Sequence, residues 1–236
     1  MPSFTDKLTV GGSEMDMYAA LPDGSGLHPA VVIAFHVGGL DDFDKKIADQ
    51  LAEAGYVAVV PDLFHRYTDE QLNGPRLERL GHLKDADIIA DMNAAVDFLT
   101  GNSSIDNDRI GVTGFCMGGR IAWLMAAVNP IFKCTVPFYG GNIMGNWGPG
   151  DTPFSMAGNI NCPMLFHFGA TDGNPSVEDR DKLDAELTRL GKEHIFHTYE
   201  GAGHAFMDYT NPERHHAEAA AAAWPRTIEF LDKHLK

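Results

Sequence analysis

Short unbroken apolar runs recur along the chain: Ala30-Val-Val-Ile-Ala-Phe35, Val57-Ala-Val-Val60, Arg109-Ile-Gly-Val-Thr113, Cys134-Thr-Val-Pro-Phe138, Met164-Leu-Phe-His-Phe168 and the stretch from Ile195 to Tyr199. They lack the alternation of a half-exposed strand and predict strands buried on both faces of a parallel sheet. Helical patterns lie between them, at Asp44 to Ala54, Asp85 to Leu99, Gly118 to Val128, Ser176 to Leu190 and Glu213 to His234, the last with a kink expected at Pro225. In the second of these, Ile88, Ile89, Met92, Ala95, Val96 and Leu99 form one apolar stripe that can lie on a sheet. Ser176 with Asp179 three residues on marks a helix start. Near the N-terminus, Lys7 to Val10 and Met15 to Leu21 alternate, and with the turn residues Leu21-Pro-Asp-Gly-Ser-Gly26 they predict an antiparallel hairpin. Strands alternating with helices predict one α/β domain over residues 1–236, with a mostly parallel central sheet and helices on both faces. Ligands then belong at the C-terminal ends of the strands.

The charge narrows the ligand. Eighteen Lys and Arg against 33 Asp and Glu leave a net charge of -15, which argues against nucleic acid and anionic membranes as partners. The apolar runs are too short to span a bilayer, and the N-terminus pairs no basic segment with an apolar one. Cys116, Cys134 and Cys162 are odd in number and lack C-x-x-C spacing, so no disulfide framework or zinc site is expected and a reducing cytoplasmic location fits. His194 and His197 face opposite sides of a strand, His215 and His216 diverge on a helix, and no phosphate-cradling glycine motif is present. Neither metal nor cofactor is therefore expected. The expected partner is a small molecule, bound by a monomer or small homo-oligomer.

The chemistry concentrates at one turn. The strand ending at Thr113 runs into Gly114-Phe-Cys-Met-Gly-Gly119 and then an apolar helix, which puts Cys116 where the nucleophile elbow G-x-S-x-G carries serine. A nucleophile on so sharp a turn has strained backbone angles, and side chains two residues before and after would collide, so glycine is needed on both flanks. The sulfur then sits at a helix N-terminus, where the dipole and free N–H groups favour a thiolate. A base and an acid should follow at later strand ends. Asp172 lies in the loop after the Met164 to Phe168 strand, and His204 in the small-residue loop after Tyr199. Glu178, Glu200 and Asp208 are alternatives for the acid.

These segments resemble the dienelactone hydrolase family of α/β hydrolases, through Val57-Ala-Val-Val-Pro-Asp-Leu-Phe64, Gly111-Val-Thr-Gly-Phe-Cys-Met-Gly-Gly119, Pro163-Met-Leu-Phe-His-Phe-Gly-Ala-Thr-Asp172, Tyr199-Glu-Gly-Ala-Gly-His-Ala-Phe206 and Arg226-Thr-Ile-Glu-Phe-Leu231. The resemblance implies the α/β-hydrolase fold and a carboxylic ester hydrolase of the carboxymethylenebutenolidase kind. It also implies a Cys116, His204, Asp172 triad, an acyl-thiol intermediate, and an oxyanion hole from the N–H groups of Met117 and Val37. Where family members carry a glutamate that activates the thiol, this chain has His36. Where they carry an arginine that binds the substrate carboxylate, it has Asp208. Facing each other as a charge-reversed pair across the pocket mouth, these two would turn preference from anionic toward neutral lactones or esters. His36-Val-Gly-Gly39 also looks like the histidine-glycine loop that shapes the oxyanion hole of serine esterases, a structural role for His36. Phe206 and, from the segment Asp62 to Leu83, Arg76 or Arg79 are further substrate-binding candidates. That segment and Asn142 to Asn159 look lid-like. An esterase, thioesterase or peptidase with Cys116 acting on an unrelated acyl group, and a non-catalytic binding protein on the same fold, are the rival readings.

Overall fold

The computed structural model describes residues 2–236. Strands β1 Ser3–Val10, β2 Ser13–Ala20, β3 His28–Ala34, β4 Val57–Pro61, β5 Ile105–Phe115, β6 Phe132–Phe138, β7 Met164–Gly169 and β8 His194–Tyr199 form one sheet in the order β1-β2-β4-β3-β5-β6-β7-β8. β1 pairs with β2 and β2 with β4 antiparallel; every pairing from β4 across to β8 is parallel. Every residue of β4 and β7 and every residue from Ala30 to Ala34 in β3 is buried. Because neighbouring residues in a strand point to opposite faces, such runs require cover on both sides. The continuous apolar runs of the sequence are thus the interior of a doubly covered sheet.

The cover comes from α1 Asp42–Glu53, α3 Asp85–Thr100, α4 Met117–Val128, α5 Val177–Arg189 and α6 Ala217–Leu235, with the short α2 Asp69–Asn73 in the segment after β4. α3 packs with its predicted stripe inward, burying Ile88, Met92, Ala95, Val96 and Leu99. Ser176 caps α5 in a reciprocal box with Asp179, satisfying two backbone donors that would otherwise be orphaned.

Two expectations are corrected. The hairpin is closed by Gly11 and Gly12, whose φ values of 60° and 83° suit the tight turn; the Leu21 to Gly26 turn leads instead from β2 to β3. The last helix starts at Ala217 rather than Glu213, because the N–H of His216 bonds the Phe206 carbonyl and that of His215 the Asn211 carbonyl. His216 then caps the helix with its ring, and Pro225 lies inside without ending it.

A buried ion pair fixes α4, the helix that starts at the elbow. Arg120, fully buried, grips Asp85 through both guanidinium nitrogens at 2.6 and 2.9 Å. Its remaining donors reach the carbonyls of Asn142 and Gly145, and its plane lies 3.8 Å from the Trp147 ring centre. The segment 142–159, lid-like by sequence, is therefore anchored at its start, and Trp123 holds it again by donating to the Pro153 carbonyl.

Candidate active site

Cys116 stands between β5 and α4 with φ 57° and ψ -118°, a conformation that L-residues adopt only under constraint. The constraint is the close crossing of three backbones. A Cβ on Gly114 would come within 2.1 Å of the Gly118 carbonyl, and one on Gly118 within 2.0 Å of the Ala34 carbonyl. Both flanking glycines are required by space, as the motif predicts.

The turn aims the sulfur at three donors. His204 and the N–H groups of Met117 and Val37 are the groups that act on the Cys116 sulfur. Burial alone pushes the thiol up, but His204's hydrogen bond and charge, with the two backbone donors, hold it below its usual value. His204 Nδ1 lies 2.9 Å from Asp172 Oδ2. Burial would lower the imidazole, but the bonds to Asp172 and Cys116 win, and it is pushed up to about 10. The other cysteines contrast: burial raises Cys134 strongly and Cys162 to about 11.

Asp172 is held on its other side by the Asn174 N–H at 2.8 Å. Its loop is tied down by Arg180, a buried side chain absent from the sequence reading, which donates to the carbonyls of Gly169 and Asp172. Tyr139, at the end of β6, was equally missed. Its φ is 38°, and its buried ring meets His204 edge-on with centroids 5.2 Å apart. The only available signal was its position just past a strand end.

The substrate-binding candidates fare differently. His36 does not pair with Asp208: its Nε2 lies 2.8 Å from Asp41 Oδ2 and 3.4 Å from Asp44 Oδ2. Asp208 Oδ1 takes the N–H and hydroxyl of Thr210. The local geometry prevails, because Asp41 caps α1 only five residues after His36. The His36 ring also lies across Gly38, where a Cβ would come within 2.5 Å of it, so it shapes the loop that carries Val37. Phe206 is fully buried against Tyr139 and Tyr199, part of the core rather than a substrate contact, because Ala205 at φ 62° turns the chain inward. Arg79 donates to the carbonyls of Val37, Gly38 and Leu72, so its guanidinium braces the loop after β3 instead of meeting a substrate carboxylate. Arg76 is solvent-exposed on the same turn.

Comparison with known proteins places the chain in a family. The Dienelactone hydrolase family model matches residues 15–235. The chain belongs to the dienelactone hydrolase family. A protein of Methylorubrum extorquens named "Putative carboxymethylenebutenolidase" is 32% identical over 95% of this chain and 79% of its own length. A Bradyrhizobium protein named "Probable 2-oxo-3-(5-oxofuran-2-ylidene)propanoate lactonase" is 31% identical over 92% of this chain and 89% of its own. The crystal structure of a "Putative Dienelactone Hydrolase" from Klebsiella pneumoniae superposes with a TM-score of 0.88 at 26% identity, covering 98% and 99% of the two chains. This dienelactone hydrolase family member has the α/β-hydrolase fold and is a carboxylic ester hydrolase. No helix among the described residues is long and apolar enough to cross a membrane.

Proposed function

We propose that this hydrolase opens neutral lactones or carboxylic esters with Cys116 as nucleophile, His204 as acid and base, and Asp172 holding His204. The observation that carries the reading is the convergence of His204 and the N–H groups of Met117 and Val37 on the Cys116 sulfur. Cys116 is held below its usual value and His204 above its own, which favours the thiolate and imidazolium form of the pair. The thiolate attacks the carbonyl carbon, forming the S–C bond and an oxyanion. Met117 and Val37 hold that oxyanion, each worth about 3 kcal/mol by analogy with single-donor deletions elsewhere. Collapse breaks the C–O bond, and His204 gives its proton to the leaving oxygen. His204 then takes a proton from water as the hydroxide attacks the thioester, and the thiolate returns with the acid released.

The shifts dictate the pH behaviour. A depressed thiol stays ionised below the pH at which an ordinary cysteine protonates, and a raised imidazole keeps its proton across neutral pH. Alkylation by iodoacetamide, followed by mass spectrometry, is expected to label Cys116 ahead of Cys134 and Cys162 and to persist to lower pH than labelling of the other two. Faster labelling of either other cysteine would remove the assignment.

Neutral substrates follow from the charges at hand. Asp208 and Asp41 both act on Asp44 as charged neighbours, and the terminal nitrogens of Arg79 donate to the carbonyls of Val37, Gly38 and Leu72. A substrate carboxylate would meet the like charge of Asp208 and Asp41. The methyl ester of a dienelactone carboxylate is expected to show kcat/KM about tenfold or more above the free acid, roughly 1.4 kcal/mol. Faster turnover of the acid would refute the preference while leaving the triad standing.

A further inference from the structure

Asp44, in the first turn of α1, is fully buried, and neither of its carboxylate oxygens has a hydrogen-bond partner. A buried carboxylate without a hydrogen-bond partner costs several kcal/mol, and the offset is either a proton, which burial favours by pushing Asp44 well above the usual carboxylate range, or a bound cation. The charged groups acting on it most strongly, Asp41 and Asp208, are carboxylates too and make matters worse. His36 supplies one imidazole nitrogen, 2.8 Å from Asp41 and 3.4 Å from Asp44.

These spacings are those of ligands around a single ion. Donors bound at about 2.0 to 2.2 Å and separated by 90° to 110° stand roughly 2.8 to 3.6 Å apart. One donor atom from each of His36, Asp41 and Asp44 lies within 4.8 Å of the other two. We propose that His36, Asp41 and Asp44 form a binding site for one divalent first-row cation. One imidazole with two carboxylates suits manganese or zinc. The ion takes the place of the proton between His36 and Asp41, and the displaced proton leaves to solvent. Asp41, whose side chain is a third exposed, marks the entry path, whereas Asp44 sits at the closed end. The sequence hides this set because its ligands, one on the loop after β3 and two at the start of α1, match no spaced signature and became adjacent only through the cap of that helix.

The site is distinct from the thiol but coupled to its surroundings, since His36 directly precedes Val37 and its ring lies across Gly38. An ion that fixes the ring therefore steadies the loop whose N–H faces Cys116.

The test is titration of chelator-treated protein with Mn2+, following free Mn2+ by electron paramagnetic resonance. Manganese is the probe because it binds thiolates weakly, so Cys116 does not compete. One tightly held Mn2+ per chain is expected, together with a rise in unfolding temperature, both retained in Cys116→Ala. Asp44→Asn and Asp41→Asn should each weaken uptake at least tenfold. The Asp41 variant, at a partly exposed position, keeps the test decisive if the buried substitution fails to fold. No saturable binding up to millimolar Mn2+, or equal uptake by wild type and the Asp41 variant, would overturn the site and point to scattered surface carboxylates, with the triad reading unaffected.

Discussion

Replacing Cys116 by alanine is expected to lower kcat/KM for ester and lactone hydrolysis by about 10⁴-fold or more, the scale on which nucleophile deletions act in triad enzymes. The loss is one of chemistry, since the S–C bond can no longer form. Unfolding temperature should change little, because alanine occupies the same elbow with the same flanking glycines, and the strain at φ 57° is set by the crossing of Gly114, Gly118 and Ala34. His204 should respond as well. It loses the hydrogen bond and charge of the thiolate, so its imidazole should titrate lower than in the wild type, with Asp172 still holding it up. Proton-detected titration of the His204 ring in both proteins measures this. Hydrolysis within tenfold of wild type would mean that Cys116 is not the nucleophile, whatever the elbow geometry.

Replacing Arg120 by alanine is expected to cost about 3 to 5 kcal/mol, the usual penalty for removing one partner of a buried ion pair. Asp85 would be left as a buried carboxylate whose remaining bond is to the Trp147 N–H, and the carbonyls of Asn142 and Gly145 would lose their donors. For a chain of this size that corresponds to a fall of roughly 6 to 20 °C in unfolding temperature, read by calorimetry. A lysine in its place keeps the charge but not the two-pronged grip on Asp85, so it should recover only part of the loss. A change below about 2 °C for the alanine variant would show that the pair is not a determinant of stability. Because α4 begins at the elbow, the same variant should also reduce activity more steeply than stability as temperature rises.

The two predictions draw on different layers of the chain. The elbow is local: a strand, a turn with glycines two positions on either side of Cys116, and an apolar helix all lie within a short segment. The pattern therefore identifies it without any knowledge of neighbours. Asp172 and His204 are legible for a related reason. Each follows an apolar run that must be a buried strand, and parallel strands deliver their C-terminal loops to one edge of the sheet. The family's motifs added Met117 and Val37, whose proposed role is to hold the oxyanion.

Arg120 carries no such mark. Its partner Asp85 lies 35 residues away at the start of another helix, and nothing in a Met-Gly-Gly-Arg sequence says that the arginine is buried. The same holds for Arg180, for Tyr139, and for Arg79, whose contacts with Val37 and Gly38 span about forty residues. His36 and Asp208 illustrate the converse. Their charges suggest a pair, but a nearer carboxylate at the helix cap took the histidine.

What the sequence determined by itself is therefore the succession of strands and helices along the chain, the sharp turn at Cys116 and the loops that carry Asp172 and His204, because these follow from hydrophobic periodicity and short-range backbone geometry. The tertiary structure alone decided which acid His36 meets, what Arg79 grips, that Phe206 turns into the core, and that Asp44 lies buried without a hydrogen bond. Those outcomes depend on which side chains the packing of separate elements brings within a few ångströms. Over such distances a change of neighbour reverses the electrostatics while leaving the pattern of apolar and polar residues untouched.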